Sequence, residues 1–258
     1  MDHSPQVQID EYERLEPRQI VEHEGIRLVF ATPNPATAWR VDTLFTKEPD
    51  TIEWIAGFAA EEVLLDIGAN VGMYSLWAAK TRGVDVFAFE PESQNYAILN
   101  RNIQLNGLDA KIRAYCIALS DRAGYDKLFL SAFGAGGSCH TFGASLDFAN
   151  RPRVAPFAQG CVSAKLDDLV ATGMIPVPTH IKIDVDGLEP QIVSGARTTL
   201  SDPRVRSVLV EINTNLDEHW DVVDVLIASG FDYSIDQVEL AQRKEGPFKG
   251  VGNYVFRR

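Results

Sequence analysis

The sequence predicts an α/β fold in which a doubly wound, mostly parallel sheet carries helices on both faces. Short apolar runs at residues 63–67, 84–89, 181–185 and 208–213 are typical of strands buried on both faces. Segments with apolar residues at helical spacing follow these runs. This alternation indicates parallel strands joined by crossover helices, with an antiparallel pair predicted only at the edge.

Length, net charge and cysteine content argue against several classes of protein. The 258 residues are enough for one large α/β domain with a full core. The formal net charge of −12 argues against a nucleic-acid surface or an anionic membrane surface, since both require clustered Lys and Arg. No apolar run approaches the length of about 18 residues of a membrane helix, and the polar N-terminus does not resemble a signal peptide. Three cysteines without a C-x-x-C pair favour a reducing, cytoplasmic location.

Residues 1–60 are expected to form an N-terminal extension packed on the core, before a main domain at 61–258. Residues 1–24 are polar and charged, which predicts a mobile or loosely docked arm. Apolar spacing then predicts one strand and two helices, at residues 25–30, 36–45 and 49–60. We expect these pieces to lie over the loop after the first buried strand and to help shape a pocket.

A glycine-rich turn follows the first buried strand. Gly68 and Gly72 are four positions apart, and Asp66 precedes the first glycine by two. A dinucleotide site would show G-x-G-x-x-G, because pyrophosphate needs bare backbone at the helix N-terminus. A carboxylate beneath the turn repels diphosphate but suits the ammonium group of S-adenosylmethionine. We therefore predict that Asp66, Gly68, Ala69, Asn70 and Gly72 bind this cofactor; a plain turn before a helix is the alternative.

The next two strands also end in polar residues. A right-handed crossover places Glu90-Pro91, at the end of the 84–89 strand, beside the glycine turn. A carboxylate about 20 residues after the glycines can accept both ribose hydroxyls, although a solvated acid at a helix start is the alternative. Ser120 ends a strand predicted at 111–119 and is expected to meet the adenine edge, or to form an ordinary turn.

Residues 121–168 interrupt the alternation of strands and helices. Two predicted strands, at 126–131 and 161–166, flank a loop rich in Gly, Ala, Ser and Pro. A long irregular segment inside a compact domain is typically functional or disordered. We predict an inserted hairpin and a flexible lid near the mouth of the active site, and we expect His140 to be an exposed loop residue, with a pocket-lining position as the alternative.

The strand at 181–185 carries charged residues. Lys182 and Asp184 point to the same face, and charges on a central strand must be paired or functional. Asp184 ends the strand, where ligands bind in doubly wound sheets. We expect Asp184 to lie near the transferable methyl group; a purely structural pair with Lys182 is the alternative.

The C-terminal third contains further strands, helices and rim residues. Glu211 and Asn213 end the 208–213 strand, and His219 is expected on the same rim of the sheet. Short segments at 231–235 and 254–256 have no helix between them, which predicts an antiparallel edge pair. The remaining helices are predicted at residues 191–200 and 222–228.

Four motifs resemble those of the FkbM family of Rossmann-type, S-adenosylmethionine-dependent methyltransferases. They are D-I-G-A-N-x-G from Asp66, F-E-P around Glu90, A-L-S-D ending at Asp121, and K-I-D-V-D-G from Lys182. The resemblance runs from about residue 49 to residue 230, and Asp186 departs from it because the family more often has Glu there. The resemblance implies methyl transfer to oxygen, typically a hydroxyl on a sugar, glycan or secondary metabolite.

The catalytic roles follow from the chemistry of this reaction. Transfer from a sulfonium depends on alignment of acceptor, methyl and sulfur, and an alcohol acceptor must also lose a proton. Asp184 is the first candidate for the base and His219 the second. A divalent cation held by Asp184, Glu211 and Asn213 is an alternative that we do not favour.

Two readings from other classes stay open at this point. A nicotinamide-dependent oxidoreductase would share the sheet and the ribose carboxylate but would lack this glycine spacing. A non-catalytic protein could retain the S-adenosylmethionine site without turnover. The expected partner is a small-molecule or glycan acceptor, without nucleic acid or membrane.

Overall fold

The computed structural model describes residues 9–258, of which residues 12 and 13 by backbone alone. Residues 1–8 of the predicted arm at 1–24 lie outside this range. The helices are α1 Ile9–Arg14, α2 Pro35–Asp42, α3 Pro49–Ala56, α4 Met73–Arg82, α5 Ser93–Leu105, α6 Leu166–Ala171, α7 Glu189–Ser194, α8 Arg197–Leu200, α9 Asp217–Ala228 and α10 Ile235–Ala241. The strands are β1 Arg18–His23, β2 Ile26–Ala31, β3 Val63–Ile67, β4 Asp85–Phe89, β5 Ile112–Tyr115, β6 Ala118–Leu119, β7 Gly124–Leu130, β8 Thr141–Phe142, β9 Phe157–Ala164, β10 His180–Ile183, β11 Ser207–Asn213 and β12 Val251–Arg257.

The main sheet has six strands in the order β12-β11-β10-β3-β4-β5. Strands β3, β4, β5, β10 and β11 are parallel, and β12 pairs antiparallel with β11 at one edge. This confirms the predicted doubly wound Rossmann-like α/β fold. The strand order reverses between β3 and β10, so the carboxyl ends of these two strands form the topological switch point where such sheets bind ligands.

Alternating residues of β3 divide the core between the two faces of the sheet. Leu64 packs with α3, α4 and α5 residues on one face, whereas Leu65 and Ile67 pack with α7 and α9 residues on the other. These three side chains are at most 1% exposed. The same alternation places Asp66 on the face of Leu64, as a charged residue inside an apolar layer.

The N-terminal extension is more ordered than the sequence predicts. Strands β1 and β2 form an antiparallel hairpin from Arg18↔Ala31 to His23↔Ile26, so the expectation of a loose arm is wrong for this segment. Helix α2 begins with Pro35 and a reciprocal capping box between Asn34 and Thr37. Buried residues of β2, α3 and the α2–α3 connection join the core of the main sheet. The division at residue 60 stays a prediction.

The inserted segment forms a second sheet in the order β6-β9-β7-β8. Its centre is the predicted hairpin, with β7 and β9 paired antiparallel from Gly124↔Ser163 to Leu130↔Phe157. The predicted strand at 111–119 is in fact split: β5 belongs to the main sheet and β6 to the second one. The second sheet therefore stands beside the carboxyl end of the main sheet.

Two further predictions at the C-terminal side are corrected. The segment 231–235 forms only an isolated bridge between Asp232 and Arg257, and the edge strand β12 pairs instead with β11. The helix predicted at 191–200 is divided into α7 and α8 at Gly195, where a Cβ would lie 2.1 Å from the carbonyl oxygen of Ser120. None of the helices within residues 9–258 is long and apolar enough to cross a membrane.

Candidate functional site

Three adjoining cavities open at the switch point of the main sheet. We name each after one lining residue: the Phe89 cavity, the Lys182 cavity and the Trp39 cavity. The Trp39 cavity is the largest of the three, with a volume of about 330 Å³. The residues that line all three are Gly68, Asn70 and Asp184. These shared residues mark the point at which molecules in different cavities would meet.

The two glycines of the turn have different tasks. Gly68 has a φ of +81°, and a Cβ there would lie 1.9 Å from the carbonyl oxygen of Asp184, so only glycine fits between the ends of β3 and β10. Gly72 has a φ of +87° and precedes α4, where a Cβ would lie 2.4 Å from Leu99 Cδ1. Gly68 lines all three cavities. Gly72 lines none of them and instead packs the turn against Leu99.

Asp66 lies beneath the turn, and one of its carboxylate oxygens has no hydrogen-bond partner in the described part of the chain. The residue is 1% exposed, and its Oδ2 accepts a hydrogen bond from the Ser75 hydroxyl at 2.6 Å. Its Oδ1 is buried and has no hydrogen-bond partner among residues 9–258. Burial raises the pKa of Asp66, although the nearby charge of Lys182 opposes this effect. Asp66 and Ala69 line the Lys182 cavity, so the unused oxygen fits a donor such as an ammonium group.

Glu90 connects the end of β4 to the glycine turn. Its Oε2 accepts the N–H of Asn70 at 2.8 Å, and its Oε1 accepts the N–H of Glu92 at 2.9 Å. Glu90 is 4% exposed, and burial raises its pKa to about 7. Glu90 and Pro91 both line the Phe89 cavity. Because each carboxylate oxygen can accept more than one hydrogen bond, the side chain can still receive two hydroxyls from that cavity.

Asp184 forms an ion pair with Lys182, whose Nζ lies 2.8 Å from Asp184 Oδ2. Burial opposes ionisation of Asp184, but the charges of Lys182 and Lys47 outweigh it and hold the pKa of Asp184 well below its ordinary value. The side chain is therefore an anion at neutral pH. It lies at the common wall of the three cavities, where it can attract a positive charge and accept a hydrogen bond.

Two other carboxyls line the Trp39 cavity beside Asp184. Asp186 has a φ of +57°, and its Oδ2 accepts the N–H of Cys139 at 2.6 Å. Glu211 lies 3.5 Å from a guanidinium nitrogen of Arg243. Burial and the neighbouring carboxylates raise the pKa of Glu211 well above its ordinary value.

The ligand set of the metal alternative comes together only in part, because Asp184 and Glu211 line the Trp39 cavity and Asn213 does not. Asn213 Nδ2 donates to the carbonyl of Phe148 at 3.3 Å, and its Oδ1 accepts from Asn215 at 2.9 Å. In the part of the chain that the structure describes, no three His, Cys, Asp or Glu residues are grouped so that they could hold a metal ion.

Besides Gly72, two of the predicted site residues lie outside these cavities. The Ser120 hydroxyl donates to Asp121 at 3.1 Å and lines a separate cavity beside Gln191, and its predicted contact with adenine stays a prediction. His219 lies in α9, is 2% exposed, and accepts the N–H of Asn213 on its Nδ1 at 3.2 Å. It therefore lies beside the end of β11, on the predicted rim of the sheet, but it is buried and lines none of the three cavities.

His140 is more buried than the sequence predicts and lies at one of the cavities. It is half-buried and lines the Phe89 cavity, so the expected exposed position is wrong. Burial and the charge of Arg153 lower its pKa to about 4. Its Nδ1 accepts the N–H of Ser131 at 3.2 Å, which requires a neutral ring with the proton on Nε2.

The loop between β7 and β8 covers the site and is tied to it by hydrogen bonds. The Gly137 carbonyl accepts from Asn70 Nδ2 at 2.6 Å and from Asn95 Nδ2 at 3.1 Å. The N–H of Gly136 donates to Asn95 Oδ1 at 2.7 Å, and its carbonyl accepts from Arg40 Nε at 2.7 Å. The predicted lid is therefore held in place by the glycine turn, α5 and the N-terminal extension.

Several residues that line the cavities belong to no recognisable sequence motif. Trp39, Arg40 and Lys47 come from the N-terminal extension, and Arg243 and Phe248 from the segment between α10 and β12. Only the folded chain brings these two segments to the switch point. Their residue types, basic and aromatic, are common on ordinary surfaces, so no sequence signal could have identified them.

Comparison with known proteins gives a consistent result. The sequence profile described as the methyltransferase FkbM domain matches residues 66–238. Hexuronic acid methyltransferase AglP of Haloferax volcanii is 28% identical over 203 residues, which cover 77% of this chain and 75% of the relative. The 31-O-demethyl-FK506 methyltransferase FkbM of Streptomyces tacrolimicus is 27% identical over 198 residues, covering 68% of this chain and 75% of the relative.

A solved structure agrees with the fold. Methyltransferase FkbM from Methylobacillus flagellatus aligns with a TM-score of 0.50 and 15% sequence identity over 78% of this chain. The alignment spans only 44% of that protein's chain. At this identity the similarity shows the fold alone, and it is the fold already described for the main sheet.

Proposed function

The chain belongs to the FkbM methyltransferase family, and from its site we propose that it transfers a methyl group from S-adenosylmethionine to a hydroxyl oxygen of a small-molecule or sugar acceptor. The single observation that carries this proposal is the meeting of three cavities at Gly68, Asn70 and Asp184. The Phe89 cavity suits the adenosine of the cofactor, the Lys182 cavity suits its amino-acid end, and the Trp39 cavity suits the acceptor. A two-substrate transfer reaction requires such a junction.

The residues present fit S-adenosylmethionine at both of its ends. In the Phe89 cavity, Glu90 is placed to accept the ribose hydroxyls, and the apolar side chains of Phe89 and Ile192 suit the adenine. In the Lys182 cavity, the unpartnered Oδ1 of Asp66 suits the ammonium group. When bound, the cofactor supplies a methyl group on a positively charged sulfur. Asp184, as an anion at the common wall, would stabilise that positive charge.

The acceptor is assigned to the Trp39 cavity. Asp184 would accept a hydrogen bond from the acceptor hydroxyl and thereby direct one oxygen lone pair toward the methyl group. A neutral hydroxyl that has gained a methyl group becomes a strongly acidic oxonium. Even a carboxylate with a lowered pKa can accept that proton, so Asp184 serves as orienting group and late base.

The class of acceptor is supported by the cavity and by the relatives. The rings of Trp39 and Phe248 offer apolar faces, and Arg40, Lys47 and Arg243 offer hydrogen-bond donors. Such a lining suits an oxygen-rich ring compound. The names of the two relatives describe a hexuronic acid and an FK506 precursor as substrates, which supports an acceptor of this kind.

A binding and transfer experiment tests the proposal. Calorimetry should show binding of S-adenosylhomocysteine but not of NADH, which a nicotinamide enzyme would bind. Methyl-labelled cofactor should then transfer its label to uronic acids, neutral sugars or alicyclic alcohols, with NMR showing an O-methyl product. Absence of cofactor binding would overturn the proposal, and binding without turnover across this panel would leave only a non-catalytic cofactor protein.

The same assay tests the metal alternative. The protein is dialysed against EDTA and assayed with and without added Mg²⁺. We expect equal rates, because Asp184 is already compensated by Lys182 and the raised pKa of Glu211 opposes the ionisation that metal binding needs. Loss of turnover with EDTA and its recovery with Mg²⁺ would instead establish metal-assisted transfer.

A further inference from the structure

The Lys182 cavity contains a cation that forms no ion pair with a described carboxylate. Arg40 lines this cavity and is half-buried. Its Nε donates to the Gly136 carbonyl at 2.7 Å, and its Nη2 lies 3.4 Å from the Gly137 carbonyl. Among the side chains that the structure describes, the Arg40 guanidinium forms no ion pair within 4.0 Å with an Asp or Glu. A buried or half-buried guanidinium without a counter-charge is uncommon, since its desolvation is uncompensated.

The other charged groups that line the cavity are already matched, with one exception. Lys47 forms an ion pair with Glu48, and Lys182 forms one with Asp184. The exception is Asp66, whose Oδ1 is buried without a hydrogen-bond partner in the described part of the chain. The cavity therefore presents one unmatched cation, Arg40, and one unmatched carboxylate oxygen.

A cation without an ion pair and a carboxylate oxygen without a hydrogen-bond donor on one small cavity are complementary to a zwitterion. An α-amino acid is such a group, with an ammonium and a carboxylate on the same carbon. Asp66 can accept from the ammonium, and the free N–H donors of Arg40 can reach a carboxylate. The pattern distinguishes the amino-acid end of a nucleoside ligand from a plain nucleoside, which carries neither charge.

We propose that Arg40, in the N-terminal extension, binds the methionine carboxylate of the cofactor. This assignment rests on the proposed function. It gives the extension a task in cofactor binding, although the family profile starts only at residue 66. The segment that carries Arg40 is well fixed for this task, because α2 begins with Pro35 and the capping box of Asn34 and Thr37.

The contact of Arg40 with the Gly136 carbonyl orients the guanidinium. It holds Nε and, at 3.4 Å, Nη2 against the loop, and among the described residues the Nη1 N–H groups have no acceptor and can bind another partner. The same contact creates a second way in which Arg40 could affect the cofactor, through the position of the covering loop. The experiment must separate these two effects.

The test compares two ligands that differ only in the carboxylate. S-adenosylhomocysteine carries it, and 5′-(3-aminopropylthio)-5′-deoxyadenosine is the same molecule without it. Calorimetry measures both on the wild type, on Arg40→Met and on Arg27→Met. Arg27 is the matched control, because it lies in the same extension, is exposed and pairs only with Glu22. Arg40→Met should weaken S-adenosylhomocysteine by about tenfold or more and leave the carboxylate-free ligand unchanged.

Each other outcome has a definite meaning. Equal weakening of both ligands by Arg40→Met would overturn the inference and show that Arg40 acts through the loop at Gly136. Unchanged binding of both ligands would overturn it as well. If the wild type binds neither ligand, the proposed function itself fails. Arg27→Met should leave both affinities at the wild-type value, and a loss there would show a non-specific effect of charge removal.

Discussion

Lys182 Nζ lies 2.8 Å from Asp184 Oδ2, with the lysine side chain only 2% exposed at the centre of the sheet. Across the β3–β10 ladder, Lys182 is also the register partner of Asp66. One buried ammonium thus serves the two carboxylates that we assign to the cofactor and the acceptor. Its charge favours the ionised form of both carboxylates and opposes the effect of burial on their pKa values.

Replacing Lys182 with Met should therefore be strongly destabilising. The substitution leaves buried carboxylates without their counter-charge, and breaking such a pair typically costs about 3–5 kcal/mol. Urea unfolding of Lys182→Met measures this loss. Lys111→Met is the control: it breaks an exposed pair with Asp85, at 3.1 Å, which should contribute at most about 1 kcal/mol.

A double substitution checks the cause. In Lys182→Met/Asp184→Asn the unpaired charge of Asp184 is absent, so part of the stability should return. If the double variant is no more stable than Lys182→Met, the loss comes from packing of the lysine stem and not from the ion pair.

Gly68→Ala should show that the turn admits no side chain. The new Cβ would lie 1.9 Å from the Asp184 carbonyl oxygen and the residue would keep a φ of +81°, so both a clash and backbone strain arise. Gly83→Ala has a similar φ of +72° but nothing within 4 Å, and should cost only about 1 kcal/mol from strain. Thermal unfolding compares the two variants. Equal losses would mean that β3 and β10 can separate to admit the methyl group.

The parts of the site that the sequence predicts are those determined by local chain geometry. Asp66, Gly68 and Glu90 follow directly from strand ends and a turn, and the parallel sheet then brings them together. The positions of Arg40 and His219 could not be predicted in this way, because they depend on contacts between distant parts of the chain. The position of Arg40 depends on how a remote helix docks, and the burial of His219 depends on α9 starting at Asp217, five residues earlier than its apolar pattern indicates.

Glu90 should make stability and cofactor affinity depend on pH in opposite directions. Burial raises the pKa of Glu90 to about 7, so the folded state binds a proton that the unfolded state has released. The resulting stability is present below the unfolded pKa of about 4.3 and is lost as the pH rises through about 7. Cofactor binding should improve over the same rise, because an ionised carboxylate accepts ribose hydroxyls better.

The variant Glu90→Gln isolates both effects. It should remove this pH dependence of stability, followed by urea unfolding between pH 5 and 8. It should also weaken S-adenosylhomocysteine binding by about 1.5–3 kcal/mol at pH 8. Glu92→Gln is the control: Glu92 caps α5 by accepting from the N–H groups of Gln94 and Asn95, so its loss should affect stability alone. A cofactor affinity unchanged in Glu90→Gln would remove Glu90 from the ribose site.

His219 should contribute to acid sensitivity and not to proton transfer in catalysis. Burial lowers the pKa of His219 to about 4 and raises the pKa of the neighbouring Glu189 to about 8. His219 Nε2 lies 3.6 Å from Glu189 Oε2, and both side chains are neutral near pH 7. A lowered histidine pKa means that the unfolded state gains a proton first as the pH falls below about 6.5. Stability is therefore lost on acidification, by roughly 2 kcal/mol between pH 6.5 and pH 5.

His219→Asn tests both statements with one protein. The amide oxygen of Asn can still accept the N–H of Asn213, which His219 Nδ1 accepts at 3.2 Å in the wild type. The variant should lose the roughly 2 kcal/mol acid-dependent component of stability and keep its turnover within a few-fold, because His219 lines none of the three cavities. Removal of a true catalytic base would lower kcat by about 10²-fold or more. A loss of that size, with cofactor affinity unchanged, would return His219 to the reaction and require α9 to move during turnover.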